Sequence, residues 1–187
     1  MSITEPITNA QLGDVDHAYG FKAKPFPKKV GDAGTGDHLI LKGQILAKDP
    51  DDTTITHFTV AKSGSTKPFI VARGNLTINP SYETVDYIVT DSQGNLRDAT
   101  TGKYISALET DETVSAVFDG YIVVEFAEEV QYGDAVTFED DTGKAKNWSA
   151  DEQTKVGTYE GRPGYGTGEF PPGPVTTGQL GRIKVVQ

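Results

Sequence analysis

The chain has no cysteine among its 187 residues. That excludes a disulfide framework, a thiolate nucleophile and the thiolate zinc sites of small modules. Histidine is nearly as scarce: there are only His17, His38 and His57, with no two spaced to share a helical face. A zinc site would need all three or a set of carboxylates, so no metal and no cofactor is expected. Basic residues are outnumbered, 17 Lys and Arg against 27 Asp and Glu, for a formal net charge of −10. Such a balance repels phosphate backbones and argues against a nucleic-acid partner. No apolar run approaches the roughly 18 residues that a helical membrane span requires. Met1-Ser2-Ile3-Thr4-Glu5-Pro6 lacks the basic start and apolar stretch of a signal peptide. The expectation is a chain made and used without passage through a membrane. Helix signals are few as well: Ser149-Ala150-Asp151-Glu152 fits a capping box, but Gly157 follows within about two turns.

What the chain does have is strand and turn grammar. Tyr121-Ile122-Val123-Val124-Glu125-Phe126 is rich in β-branched and aromatic residues, which suit a pleated, half-buried surface. Gly133-Asp134 supplies a turn, Ala135-Val136-Thr137-Phe138 the next strand, and Asp141-Thr142-Gly143 another turn. The predicted class is mostly β, a β-sandwich or small β-barrel body with an extended N-terminal arm and minimal helix.

Residues 1–36 read as that arm, because Pro6, Pro25 and Pro27 oppose helix and Gly31, Gly34 and Gly36 close the segment flexibly. Its Tyr19, Phe21, Lys24, Pro25 and Phe26 have no amphipathic period around them, and are candidate partner contacts. Lys22, Lys24, Lys28 and Lys29 read as a solvated arm or a dock for an acidic protein surface. Residues 37–76 form a first β region, in which His38 to Ala47 is a strand pair bent at Gly43 or one bulged strand. Residues 77–113 suggest an inserted hairpin subdomain, with strand Val85 to Val89 and a turn at Asp91-Ser92-Gln93-Gly94-Asn95. Residues 114–187 form a C-terminal β region that ends in a strand over Gln179 to Val186. The Gly/Pro-rich loop 161–181 in that region is too dense in both residues for regular structure. Its Tyr165 and Phe170 are further candidate partner contacts. Gly36-Asp37 and Thr66-Lys67 are faintly echoed by Gly133-Asp134 and Thr154-Lys155, each ahead of an apolar strand, as a duplicated β unit would be.

No constellation for catalysis emerges. Ser63-Gly64-Ser65 lacks the flanking glycines of a nucleophile elbow, and Gly34-Thr35-Gly36 lacks the lysine and helix of a phosphate loop. The acidic clusters Asp49/Asp51/Asp52, Asp111/Glu112, Glu128/Glu129 and Glu139/Asp140/Asp141 read as solvated turns. Asp49-Pro50-Asp51-Asp52 and Asp91 to Asn95 depart from the calcium-loop pattern. Trp148, the only tryptophan, is a core or rim anchor or a sugar-stacking platform. The chain therefore reads as a binding or structural protein and not an enzyme.

From about Gly120 to Val186 the chain resembles tailed-phage head decoration proteins of the structural cement type. The likeness rests on Tyr121 to Phe126, Gly133-Asp134, Ala135 to Phe138, Asp141 to Lys146, Val156-Gly157 and Gly181-Arg182-Ile183-Lys184-Val185-Val186. Lys67-Pro68-Phe69-Ile70-Val71 stands where the family often has Pro-(Phe/Tyr)-Gly-Val, with Ile70 in the place of the glycine. Residues 77–113 have no counterpart. The resemblance implies a virion protein on the outer surface of a capsid, made in the host bacterial cytoplasm. Its implied partners are the major capsid protein and copies of itself, a trimer being the favoured oligomer. Other readings are a tail, baseplate or head-fibre component, and a carbohydrate-binding module using Trp148, Tyr159 and Tyr165.

Overall fold

Strands account for every regular element among the described residues of the chain. The computed structural model describes residues 13, 19–23, 40–49, 53, 57–73, 88–90, 96–98, 113–140, 142–151, 154–162 and 170–187; over 19–23, 88–90 and 96–98 only the backbone is described. The strands are β1 (Tyr19–Ala23), β2 (Ile45–Lys48), β3 (His57–Val60), β4 (Phe69–Ala72), β5 (Ile88–Thr90) and β6 (Leu96–Asp98). They continue with β7 (Thr113–Val117), β8 (Gly120–Glu125), β9 (Ala135–Phe138), β10 (Ala145–Asn147), β11 (Gly157–Tyr159) and β12 (Leu180–Val185). The expected mostly-β class is what the structure has. Ser149 to Asp151, where a helical turn was expected to begin, form no helix.

The strands fall into two five-stranded units with the same internal order. The first is a closed barrel, β1-β3-β2-β4-β7, and the second is a sheet ordered β10-β9-β11-β12-β8. Set β3 on β10, β2 on β9, β4 on β11, β7 on β12 and β1 on β8, and each neighbour relation of one unit appears in the other. The registers agree in detail: Leu46 sits between Val60 and Ile70 as Val136 sits between Asn147 and Gly157. The parallel pair Ala23↔Phe58, which closes the first barrel, has its equivalent in a parallel bridge Phe126↔Ala145. That second closure is reinforced by the 2.6 Å Lys144–Glu125 ion pair, which joins the residues flanking the bridge. Beyond it, the Asn147 amide donates to the Glu128 carboxylate at 2.9 Å. Between β4 and β7 the first unit carries the hairpin β5–β6, and at the same position, between β11 and β12, the second carries the Gly/Pro-rich loop.

Each unit uses one device to enter its second strand. At Leu41–Gln44 and at Gln131–Asp134 the fourth residue donates its amide to the carbonyl of the first, and its side chain accepts from the amide of the first. The third residue is Gly43 at φ 76° or Gly133 at φ 88°, the left-handed region that favours glycine. The same turn opens β12 at Thr176–Gln179, with Gly178 at φ 77°. In each case the glycine amide and the following carbonyl bond one residue in or just past a neighbouring strand, Ala72, Tyr159 or Phe126. The sequence echo therefore reflects a true repeat in another register: Gly43-Gln44, not Gly36-Asp37, is the partner of Gly133-Asp134. Gly36-Asp37 lies outside the described residues.

Two differences from the expected organisation follow. Within the extended arm expected over 1–36, Tyr19–Ala23 is a barrel strand, antiparallel to β7 and parallel to β3. Gly13 also donates its amide to Val123 of β8, at 2.8 Å. Second, β7 falls at the start of the C-terminal region expected over 114–187 but completes the first unit, because its partners β1 and β4 are remote in sequence. The boundary falls at Phe118-Asp119, ahead of β8.

Alternation sets the two cores. Leu46, Phe58, Val60, Ile70, Ala72, Val114 and Ala116 fill the first barrel with Ile40. The intervening Ile45, Ala47, Phe69, Val71 and Val117 face out of it and merge with the interior of the second unit, including Phe126, Phe138 and Tyr159. The Phe69 and Phe138 rings meet across this seam with centroids 5.5 Å apart. The β9–β10 turn adds polar ties, since Gly143 accepts the Ile45 amide at 2.8 Å and Thr142 accepts the Gln44 side-chain amide at 2.9 Å.

Candidate functional surface

With the seam buried, the outer face of the second unit carries the outward cations of β12. Alternation along β12 turns Ile183 and Val185 into the core and Arg182 and Lys184 outward. Register places Lys184 opposite Tyr121 of β8 and opposite Thr158 of β11. The Arg182 guanidinium lies 4.8 Å from the Tyr121 ring centroid and 4.3 Å from that of Phe170. Lys184 Nζ lies 5.8 Å from the Tyr121 ring. Arg182 Nη2 donates to the Glu160 carbonyl at 3.3 Å, while its Nε is buried without an acceptor. Among the described residues no carboxylate makes an ion pair with Arg162, Arg182 or Lys184; the ion pair on this side joins Lys144 and Glu125.

The ends of the Gly/Pro-rich loop are held against the second unit. Val175 and Val130 exchange both backbone hydrogen bonds at 3.0 Å, and the Tyr159 hydroxyl donates to the Gly173 carbonyl at 2.9 Å. The Arg162 amide donates to Pro171 at 3.2 Å, so the two ends of the loop run side by side. Gly161, at φ 106°, has no room for a side chain beside the Phe170 carbonyl. Over the described residues 170–179 the loop holds the isolated Val175 bridge and the Thr176–Gln179 turn but no strand or helix, in keeping with its composition.

Of the expected partner contacts, Phe170 is half-buried and flanks Arg182. Tyr19 and Phe21 are in β1, where the backbone alone is described, and Lys24, Pro25, Phe26 and Tyr165 lie outside the described residues. The glycan reading loses one of its residues. Tyr159 is fully buried, edge-on to Phe126 at 5.1 Å, and its hydroxyl is pushed up to about 12 by burial, with Arg162 opposing. A ring enclosed in the core cannot stack on a sugar. Trp148 is half-buried, with its amide donated to Ala135.

The acidic turns make local bonds. Glu128 accepts from Asn147, Glu129 from the Gln131 side chain at 2.8 Å, and Glu139 from the Thr142 hydroxyl. Among the described residues no group of three His, Asp or Glu is placed to hold a metal ion. No helix there is long and apolar enough to cross a membrane. Sequence reading missed Tyr121, Arg182 and Lys184, although the two-residue spacing of Arg182 and Lys184 within a strand was the available signal.

Compared with known proteins, the chain matches no family model and no curated protein.

Proposed function

We propose that the protein is a structural virion component that binds the outer surface of a tailed-phage capsid and stabilises it. It acts without catalysis, and as a homo-oligomer with a trimer favoured. The observation that carries this reading is that the stretch resembling decoration proteins, Gly120 to Val186, coincides with one complete five-stranded unit, β8 to β12. A likeness made only of scattered turn signals has no reason to begin and end at a structural boundary. The shared seam core joins two such units in one body, which suits a protein that must bridge neighbouring subunits. Many copies on one shell make modest individual affinity sufficient. A net charge of −10 keeps a coated particle dispersed.

Co-sedimentation of the full-length protein with decoration-free capsids tests the reading, and the protein is expected to pellet with assembled shells but not with free capsid subunits. Pelleting with isolated tails would move it to the tail or baseplate. Failure to pellet with either, with binding on a glycan array, would replace the virion role by carbohydrate recognition.

A further inference from the structure

We propose that the outer face of β8 and β12, built on Arg182, Lys184 and Tyr121 with Arg162 and Phe170 at its margin, docks side-chain carboxylates of a partner protein. The choice of the capsid shell as that partner rests on the reading above; the carboxylate chemistry does not. In an acidic chain this face carries Arg182 and Lys184, with Arg162, whose guanidinium lies over Gly173, as a third cation nearby, and none of the three has an ion-paired carboxylate among the described residues. Arg182 is also pre-set. Rings at 4.8 and 4.3 Å and the hydrogen bond to the Glu160 carbonyl hold its guanidinium before any partner arrives. Immobilising a long side chain in advance removes an entropy cost from binding. A planar guanidinium beside aromatic rings suits a carboxylate, which meets the Nη1 and remaining Nη2 hydrogens, since Nε is buried. Arginine and aromatic residues are also the types that dominate binding energy at protein interfaces.

Charge favours a polypeptide over a polyphosphate. Three cations are a small footprint for nucleic acid, whose affinity grows with the number of phosphates neutralised, and the remaining net negative charge repels a polyanion at long range. A few carboxylates on a folded surface carry far less charge and meet the local cations without that penalty. Of the carboxylates nearby, Glu125 is engaged by Lys144, and Glu160 lies across from Arg182 and is bonded to it through its amide and carbonyl, while its carboxylate makes no ion pair with Arg182.

The test titrates the isotope-labelled full-length protein with an oligoglutamate peptide and follows backbone amide shifts. Shifts are expected to concentrate at Tyr121, Thr158, Arg182 and Lys184, and apparent affinity to fall about tenfold or more in Arg182→Glu/Lys184→Glu. Lys184→Glu alone, at an exposed position, shows the same trend without threatening the fold. Arg182→Lys, which keeps the charge but loses the planar fork, weakens binding by less than Arg182→Glu. No shifts, shifts centred elsewhere, or tighter binding of oligothymidylate than of the peptide would overturn the proposal. Capsid co-sedimentation separates it from the function on which the shell partner rests. Wild type pelleting while Lys184→Glu pellets equally well would refute this face and leave the capsid role intact. If wild type does not pellet, the capsid role fails and the peptide titration still decides the face.

Discussion

At the scale of single residues, the glycines of the second unit mark where chain must approach chain. A Cβ on Gly181 would sit 2.7 Å from the Phe126 ring and 2.8 Å from the Tyr159 ring, both in the core. On Gly157 it would sit 2.1 Å from the Lys184 carbonyl oxygen of the adjacent strand. Gly181→Ala and Gly157→Ala should each cost about 2–3 kcal/mol through overpacking, read as a lowered urea midpoint. Gly64→Ala, where the added carbon meets open space and only the φ of 86° is strained, should cost about 1 kcal/mol. Tyr159 sets an alkaline limit. Its neutral form is favoured in the folded state, so its contribution is complete below the unfolded value near 10 and is lost as pH rises toward about 12. The full loss is about 2–3 kcal/mol. Tyr159→Phe should flatten this part of the stability curve in denaturation series between pH 8 and 12; an unchanged slope would assign it to another group.

At the scale of elements, the recurring turn gives graded expectations. Gln179 bonds only the Thr176 backbone through its side chain, whereas Gln44 closes its own turn and also donates to Thr142 in the other unit. Gln44→Ala should therefore cost about 2 kcal/mol and Gln179→Ala about 1 kcal/mol, measured by urea unfolding. These elements also show how much was legible in the sequence. Strands β8, β9 and β12 and the turn at Gly133-Asp134 were readable because their apolar runs and turn residues are contiguous. The hairpin strands β5 and β6 flank the turn expected at Asp91 to Asn95. The role of β1 was not readable, because its partners His57 and Ala116 lie far along the chain and only tertiary pairing makes Tyr19–Ala23 a strand. The repeat was sensed in the wrong register because Asp134 is matched by Gln44, which makes the same backbone bond with a different side chain. The cation–aromatic face was hidden for a similar reason: Tyr121 and Lys184 meet only through strand pairing.

At the scale of the whole molecule, the two units join through a seam that is not repeated. Ile45, Ala47, Phe69, Val71 and Val117 of the first unit correspond in register to Ala135, Thr137, Val156, Thr158 and Lys184 of the second. The second unit thus offers a smaller and more polar face where the first offers an apolar one. Lys48 likewise occupies the first-unit position equivalent to Phe138. The two units therefore present unlike faces at equivalent positions, as neighbouring repeats do when only one of them meets a partner. The side chain of Gln187 adds a final tie, bonding both backbone groups of Phe69 and the carbonyl of Phe118. A shared core predicts one cooperative unfolding transition for the full chain in calorimetry. Phe69→Ala should lower stability by about 3–4 kcal/mol. It should also begin to separate the transition into two, whereas a wild-type chain that already unfolds in two steps would deny the coupling.

The functional account is tested most directly by the disruption temperature of decoration-free capsids, measured by calorimetry with and without saturating protein. The account predicts a higher disruption temperature with the protein, and a smaller rise with Lys184→Glu at the same concentration. A shell that disrupts at the same temperature with the wild-type protein present would contradict it.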